Sequence, residues 1–274
     1  MPLSSAYLLI SHGSRDQRPQ LAMEQLAELV RIRLGARDTT YRLASRQGEC
    51  HLQPSEADSI AAPALLANGI PYPPVGTATL ELAPLPLHQQ IQHFARQAQG
   101  AGCHRIQLLP LFLLPGVHVM EDIPQEVTVA QKQLGEDVIL DLGLHLGAYS
   151  RLAHLWVNSQ KITGTDAKIL LSHGTRRPGG NQPVDAVAQQ LGAVAAYWSV
   201  QPTLVEQVRD LAAVGHEQIV ILPYFIFAGG ITDAIAHTVA DLQKQFPDLR
   251  LQLGQPIGAT PQLADLIVNV TEKL

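Results

Sequence analysis

Short apolar runs alternate with stretches of helical periodicity along this chain. A buried strand is a short continuous apolar run, whereas a helix that packs on one face repeats its apolar residues every three or four positions. The first half is predicted to alternate strand and helix four times, with strands before Ser11, over 76–82, up to Leu113 and over 137–143, and helices over 21–34, about 86–99, 121–134 and from about 148. Such alternation predicts parallel strands joined by right-handed crossovers, with helices on both faces of the sheet.

Three pairs of segments recur in the same order in the two halves of the chain, which indicates an internal repeat. They are "YLLISHGSR" (7–15) and "KILLSHGTR" (168–176), "RIQLLPLFLLPGV" (105–117) and "QIVILPYFIFAGG" (218–230), and "LGLHLGAYSRLAHLWVN" (142–158) and "LGQPIGATPQLADLIVN" (253–269). We therefore predict an α/β protein with two tandem halves, 1–160 and 161–274. Each half is expected to form a mainly parallel four-stranded sheet flanked by helices, with a cleft between the halves.

The two halves differ in length between their first and second strands. The surplus in the N-terminal half falls in residues 36–75, which are rich in Pro, Ala, Ser and Gln. This composition predicts an inserted segment that forms a loop or is partly disordered. A lid over a ligand is the alternative interpretation of the same segment.

Composition and charge exclude several classes of protein. The net charge is −5 and no basic tract occurs, so nucleic-acid binding is not expected. The longest apolar runs are broken by Pro and Gly, and the first residues lack a signal-peptide pattern, so we expect a cytoplasmic protein without a membrane partner. The two cysteines, Cys50 and Cys103, lack metal-site spacing, so a bound metal must be held by His and carboxylate groups.

Three candidate functional residues follow predicted strands of the first half. His12 follows the first strand, Glu81 closes the second, and His118 lies in the loop after the third. Because ligands of an open parallel sheet bind beyond the carboxyl ends of its strands, these side chains are expected at one edge. His145, after the fourth strand, is a weaker fourth candidate. Two imidazoles and a carboxylate suit a borderline divalent ion such as iron(II), cobalt(II), nickel(II) or zinc, and also accept protons near neutral pH.

The second half serves as an internal control for these candidates. It keeps His173 in its Ser-His-Gly segment, but Ser199 aligns with Glu81 and Ile231 aligns with His118. The second half therefore looks like a copy that has kept the fold and lost the chemistry. We assign the complete site to the N-terminal half.

Each candidate also has a purely structural interpretation. Ser-His-Gly-Ser can be a tight turn in which Gly13 supplies unusual dihedral angles and Ser14 caps the helix. Arg15, Arg18, Arg176 and Arg177 follow these turns, where they either meet ligand carboxylates at helix N-termini or are ordinary surface charges. A histidine-phosphatase site is excluded, because Ser11 and Ser172 stand where that class has an arginine.

Three segments resemble the class II tetrapyrrole chelatases, specifically the sirohydrochlorin chelatases, which insert cobalt or ferrous iron. They are "SHGSR" (11–15), "ATLEL" (78–82) and "LPLFLLPGVHVMEDIP" (109–124). The resemblance, which extends over nearly the whole chain except 36–75, implies a double-length member with two α/β halves around a cleft. It implies that His12 and His118 are the metal-binding and proton-accepting pair, with Glu81 as the assisting carboxylate. Substrate contacts are expected from Ser11, Gly13, Ser14, Arg15, Arg18, Gly116, Asp122, His173 and Arg176.

The resemblance implies a lyase that inserts Fe²⁺ or Co²⁺ into sirohydrochlorin, in sirohaem or cobalamin biosynthesis, and we expect it to act without ATP. The ATP-binding pattern G-x-x-x-x-G-K-(S/T) does not occur in the sequence. No cofactor beyond the substrate metal ion is expected, and the partners are the tetrapyrrole and the ion. The alternative is a non-catalytic tetrapyrrole or metal carrier with the same cleft. The choice between iron and cobalt stays open, and we expect a monomer or a weak homodimer.

Overall fold

The computed structural model describes residues 4–46, 72–153 and 166–271. In the N-terminal half it contains β1 (Ser4–Ser11), α1 (Gln17–Arg46), β2 (Val75–Thr79), α2 (Leu87–Gly100), β3 (Cys103–Pro110), a π-helical turn (His118–Asp122), α3 (Ile123–Leu134), β4 (Ile139–Leu142) and a 3₁₀ turn (Leu146–Ala148). In the C-terminal half it contains β5 (Ala167–Ser172), α4 (Gln182–Gln190), β6 (Val194–Tyr197), α5 (Leu204–Ala213), β7 (Gln218–Pro223), α6 (Gly230–Gln245), β8 (Arg250–Leu253) and α7 (Pro261–Thr271).

The strands within these ranges form two four-stranded sheets of the same topology, β2-β1-β3-β4 and β6-β5-β7-β8. All strand pairs are parallel. Ser11 pairs with Thr79 in the first sheet, and Ser172 pairs with Tyr197 in the second. The predicted fold class, two α/β halves with four-stranded parallel sheets flanked by helices, is confirmed.

Helical periodicity decides which face of each outer helix is buried. In α2 the buried apolar residues Leu87, Ile91, Ala95 and Ala98 are spaced by four, four and three positions. They pack on one face of the first sheet together with α3. Burial of a side chain the size of Ile91 contributes about 1.5–3 kcal/mol to stability. In the described ranges, no helix combines the length and the apolar character that a bilayer span requires.

A shared hydrophobic core joins the two halves. Leu26 and Val30 of α1 belong to the same buried cluster as Leu263 and Ile267 of α7, and this cluster includes residues from both sheets. Two further clusters are each confined to one half. Because apolar burial is the main stabilising contribution to folding, the shared cluster fixes the two halves against each other.

The structure corrects the prediction for residues 36–75. Helix α1 continues to Arg46, so the first part of this segment is helical rather than a loop. The physical reason is that residues 36–46 contain neither proline nor glycine, so nothing in the sequence ends the helix at residue 36. The lid alternative concerns mainly residues 47–71, which lie outside the described residues. The predicted boundary between residues 160 and 161 also lies outside them.

Some predicted boundaries were wrong. Strand β2 ends at Thr79 rather than at residue 82, so Glu81 lies in the turn beyond the strand. Leu82 has a φ of 60°, which a strand does not accommodate. Strand β3 ends at Pro110 rather than at Leu113. Helical structure before α3 begins at His118 rather than at residue 121, because a π-helical turn precedes the regular helix.

Candidate metal site and cleft

Backbone hydrogen bonds beyond the paired strands position Glu81 beside His12. The Leu80 N–H donates to the Ser11 carbonyl oxygen, and the Glu81 N–H donates to the His12 carbonyl oxygen, each at 2.9 Å. The contact between β1 and β2 therefore continues for two residues after β2 has ended at Thr79. As a result the side chains of Glu81 and His12 leave the same edge of the sheet.

Gly13 permits the close approach of these two turns. Its φ is +100°, a conformation that residues with a side chain rarely adopt. A Cβ atom at this position would lie 2.1 Å from the Glu81 carbonyl oxygen, which no backbone can accept without moving. The backbone of this turn therefore requires glycine at position 13, whether or not Gly13 also contacts a ligand.

A π-helical turn presents His118. This turn spans His118–Asp122 and leads directly into α3. The Nδ1 of His118 lies 2.7 Å from Oδ2 of Asp122. A carboxylate accepts hydrogen bonds, so Nδ1 carries the hydrogen, and Nε2 is left with the lone pair that binds a metal. Such a carboxylate partner is typical of metal-binding histidines, because it fixes the tautomer and the ring orientation.

The three predicted site residues converge at this edge of the first sheet. One ligand atom from each of His12, Glu81 and His118 lies within 4.8 Å of the others. His12 Nε2 is 4.0 Å from Glu81 Oε2, and the two imidazole rings meet edge to face with centroids 4.8 Å apart. Ligands about 2.1 Å from one ion at tetrahedral angles are about 3.4 Å apart. The observed separations are longer than this, so the side chains must move closer together to share one ion.

The site is open to solvent, which suits an ion that must arrive and leave. The side chains of His12 and Glu81 are 50% and 49% exposed, whereas that of His118 is 30% exposed. Three protein ligands leave coordination positions vacant for a further molecule. The arrangement can therefore hold a divalent ion while a second ligand approaches it.

A cleft of about 840 Å³ adjoins this site and is lined by both halves of the chain. The C-terminal half contributes His173 and Ile231, among others. Of the predicted contact residues, the lining includes Ser11, Gly13, Ser14, Gly116 and His173. It does not include Arg15, Arg18, Asp122 or Arg176. Among the described lining residues there is no Lys or Arg, so arginine contacts with a ligand stay a prediction.

The guanidinium of Arg18 is engaged with two carboxylates. It donates to Asp16, which precedes α1, and to Asp233 in the first turn of α6. The pair with Asp233 connects the two halves at their surface. Hydrogen bonds from Arg18 hold the pKa of both carboxyl groups below its usual range. Arg18 thus joins the halves in this structure, a role that the sequence did not reveal.

Three lining residues were missed by sequence reasoning. The ring centroid of Phe112 lies 6.3 Å from that of His12 and 6.5 Å from that of His118. Leu82 and Val117 are large apolar residues that stay 58% and 48% exposed beside the site. Exposed apolar side chains around a polar centre are typical of a ligand site. The repeated apolar segment over 105–117 is a signal for Phe112 and Val117, but a continuous apolar run also predicts a buried strand.

His145 does not join the cluster of His12, Glu81 and His118. Nor does it belong to the residues that line the cleft. Burial lowers the pKa of its imidazole, because the charged form loses solvation. The structure gives no support for His145 as a fourth ligand.

The fold and the site define an α/β protein with two chelatase-like repeats and a candidate metal centre at the edge of one of them. The CbiX family model matches residues 51–162 and again 167–274, and the chain belongs to this family. The resemblance to chelatases, in the two-repeat form, is therefore confirmed. The first match contains Glu81 and His118 but begins after His12.

Related proteins carry chelatase names. The chain is 25% identical over 176 residues to the sirohydrochlorin ferrochelatase of Priestia megaterium and 23% identical over 187 residues to the sirohydrochlorin cobaltochelatase of that organism. These matches cover 60% and 63% of this chain but only 64% and 61% of the relatives. A solved structure of SirB from Bacillus subtilis with Fe³⁺ matches with a TM-score of 0.68 and 18% identity. That match covers 99% of this chain and 95% of SirB, and it shows the fold alone.

Proposed function

We propose that this protein is a sirohydrochlorin chelatase, a lyase that inserts ferrous or cobaltous ion into the macrocycle. The observation that carries the proposal is the convergence of His12, Glu81 and His118, whose ligand atoms lie within 4.8 Å of one another at the cleft. The chelatase names of its relatives supply the substrate class.

The ligand chemistry supports a borderline divalent ion as the substrate metal. Imidazole nitrogen and carboxylate oxygen are the donors that such ions accept, whereas an all-carboxylate site suits magnesium or calcium. Among the described residues three candidate ligands meet at the site, so an ion held by them keeps exchangeable positions. An ion bound in this way is delivered more readily to another ligand than one enclosed by four protein groups.

The lining of the cleft supports a large partner that has an apolar face. The volume of the cleft, about 840 Å³, lies within the range of small-molecule sites. Leu82, Val117 and Ile231 keep large exposed apolar surfaces there. These surfaces suit the flat face of a macrocycle, while its polar carboxylates reach the open edge of the cleft. All three proposed metal ligands come from the N-terminal half, which supports assigning the reaction to it.

Anaerobic insertion assays test this function. The protein is mixed with sirohydrochlorin and either Fe²⁺ or Co²⁺ without ATP, and the absorbance of the ring is followed against a protein-free control. We expect many rings per chain to be metallated at a rate above the control. Uptake that stops at one ring per chain would instead identify a carrier, and a rate equal to the control would contradict the proposal. Comparing the two ions decides between iron and cobalt.

A further inference from the structure

His173 is the counterpart of His12 in the C-terminal half. It follows β5 as His12 follows β1, and the residue after it, Gly174, has a φ of +80° where Gly13 has +100°. The Ser199 N–H donates to the His173 carbonyl oxygen at 2.9 Å, as the Glu81 N–H does to that of His12. His173 is exposed and lines the cleft from the C-terminal side. His173 is expected to contact substrate, but the metal site proposed above does not include it.

A base that does not hold the metal accelerates metal insertion. Two pyrrole N–H protons leave the macrocycle as the ion enters. A histidine that binds the ion through Nε2 and donates Nδ1–H to a carboxylate, as His118 does with Asp122, has no lone pair left for a proton. A free imidazole elsewhere in the cleft meets this need.

The hydrogen bonds of His173 leave one ring nitrogen as a proton acceptor. Its Nδ1 lies 3.0 Å from the Gly174 carbonyl oxygen, which can only accept, so Nδ1 carries the hydrogen. The Ser199 hydroxyl donates to the His173 carbonyl oxygen at 2.9 Å and lies 3.5 Å from Nδ1. Nε2 is therefore the nitrogen with a lone pair in the neutral ring.

The neighbours of His173 do not form a metal site with it. Ser199 and Ile231 stand where Glu81 and His118 stand in the first half, and neither is a ligand for a borderline divalent ion. Among the described residues, His173 is not part of any group that could hold an ion. The loss of these ligands thus leaves an imidazole that stays available for proton transfer.

We infer that His173 is a further catalytic residue, the general base that accepts a pyrrole proton of the bound macrocycle. This inference rests on the proposed function. The ion enters from the side of His12, Glu81 and His118. Nε2 of His173 accepts one pyrrole N–H proton and later releases it to water. The second N–H, made more acidic by the incoming ion, loses its proton to water in the open cleft. One divalent ion thus replaces two protons.

Two variants of His173 test the inference. His173→Ala removes the base, and His173→Asn keeps a side-chain N–H that can reach the Gly174 carbonyl oxygen but has no basic nitrogen. His93→Asn, on the exposed surface of α2, is the matched histidine control. Insertion rates, Co²⁺ affinity without the macrocycle, and macrocycle binding without metal are measured for each. Added imidazole is titrated into the His173→Ala assay at constant free Co²⁺, with the wild type in parallel.

We expect both His173 variants to insert metal about 100-fold or more slowly, with unchanged Co²⁺ and macrocycle affinities. Imidazole should raise the rate of His173→Ala and leave that of the wild type unchanged. Rates within a few-fold of the wild type, a parallel loss of Co²⁺ affinity, or a failure of imidazole to raise the rate would each overturn the base assignment. If the wild type inserts no metal, the proposed function itself fails.

Discussion

The turns that follow β1 and β5 have the same backbone hydrogen bonds in the two halves, but several equivalent positions at the cleft carry different side chains. Leu80 and Glu81 donate to the carbonyl oxygens of Ser11 and His12, and Trp198 and Ser199 donate in the same way to those of Ser172 and His173, all at 2.9 Å. In both halves a glycine with positive φ follows the histidine. The turn beyond the first strand is therefore a property of the fold.

The chemistry differs at three equivalent positions. Glu81 is matched by Ser199, His118 by Ile231, and Asp122 by Ile235, which is buried under the second sheet. The second half thus lacks counterparts of two of the proposed ligands and of the carboxylate that lies within hydrogen-bond distance of His118. The comparison teaches that the Ser-His-Gly turn belongs to the fold of both halves, whereas the carboxylate and second imidazole proposed to bind a metal stand on neighbouring elements of the first half and are replaced in the second.

In the strongest test of this comparison, the equivalent residues His118 and Ile231 are each replaced by alanine in a separate variant. His118→Ala should lower the insertion rate by more than about 100-fold, since loss of a supporting residue alone costs about 10–100-fold. Ile231→Ala removes apolar surface only and should cost no more than a few-fold. Steady-state assays with sirohydrochlorin and Co²⁺ measure both. Equal losses would mean that the active half is wrongly assigned.

Loss of the carboxylate behind His118 should have the next largest effect. Asp122→Asn keeps the size of the side chain but leaves His118 Nδ1 without its charged acceptor. We expect Co²⁺ affinity to fall by about 10–100-fold, measured by calorimetric titration. Asp210→Asn, on the exposed surface of α5, is the control. Unchanged affinity in Asp122→Asn would show that this hydrogen bond does not support the metal site.

A variant with the two missing ligand types in the second half tests whether that half can bind a metal ion. In the double variant Ser199→Glu and Ile231→His, a carboxylate and an imidazole join His173, and the turns at residues 173 and 199 have the same backbone hydrogen bonds as those at 12 and 81. We expect the number of Co²⁺ ions bound per chain to rise about two-fold, because three ligands of the suitable type are then present in each half. The single variants should bind no additional ion. A stoichiometry that does not rise would mean that the second half differs in more than its side chains.

Substitutions at the equivalent residues Gly13 and Gly174 distinguish an effect on Co²⁺ affinity from an effect on the free energy of unfolding. Gly13→Ala and Gly174→Ala each place a side chain at positive φ, which costs about 1–2 kcal/mol. The new Cβ meets the Glu81 carbonyl oxygen in the first case, and the side chains of Tyr197 and Val200 in the second. Urea unfolding should show both losses, whereas only Gly13→Ala should also weaken Co²⁺ binding. Equal Co²⁺ affinities would show that Gly13 does not position Glu81.

The ion pair that joins the halves should have the smallest effect. Arg18→Gln should lower the melting temperature slightly, and high salt should remove the difference, because exposed pairs are screened. Since Arg18 lowers the pKa of Asp233, the pair stabilises the fold above the usual carboxyl pKa of 3.8, and this stabilisation is lost as the pH falls through the lowered value. Lys244→Gln, which breaks a pair within α6, is the control. A difference that persists in high salt would contradict this account.

Much of the fold, and the convergence of His12, Glu81 and His118 at one sheet edge, could be predicted from the sequence. The repeated segments located equivalent strands, and the placement of His12, Glu81 and His118 after strands predicted their common edge. The helical extension of α1 to Arg46 was missed, because the composition of 36–75 as a whole outweighed the local absence of Pro and Gly. The contact between Asp122 and His118 could not be predicted, because it depends on a π-helical turn that has no simple periodic signature.

The two repeats, the parallel sheets and the residue types available for a metal site follow from local sequence patterns, because apolar periodicity and turn residues act over short stretches of chain. The folded structure is needed to show that three candidate ligand atoms lie within 4.8 Å of one another, that Arg18 faces Asp233, and that His173 lines the same cleft. These distances join residues far apart in the chain. They depend on strand register and on how the shared core orients one half against the other.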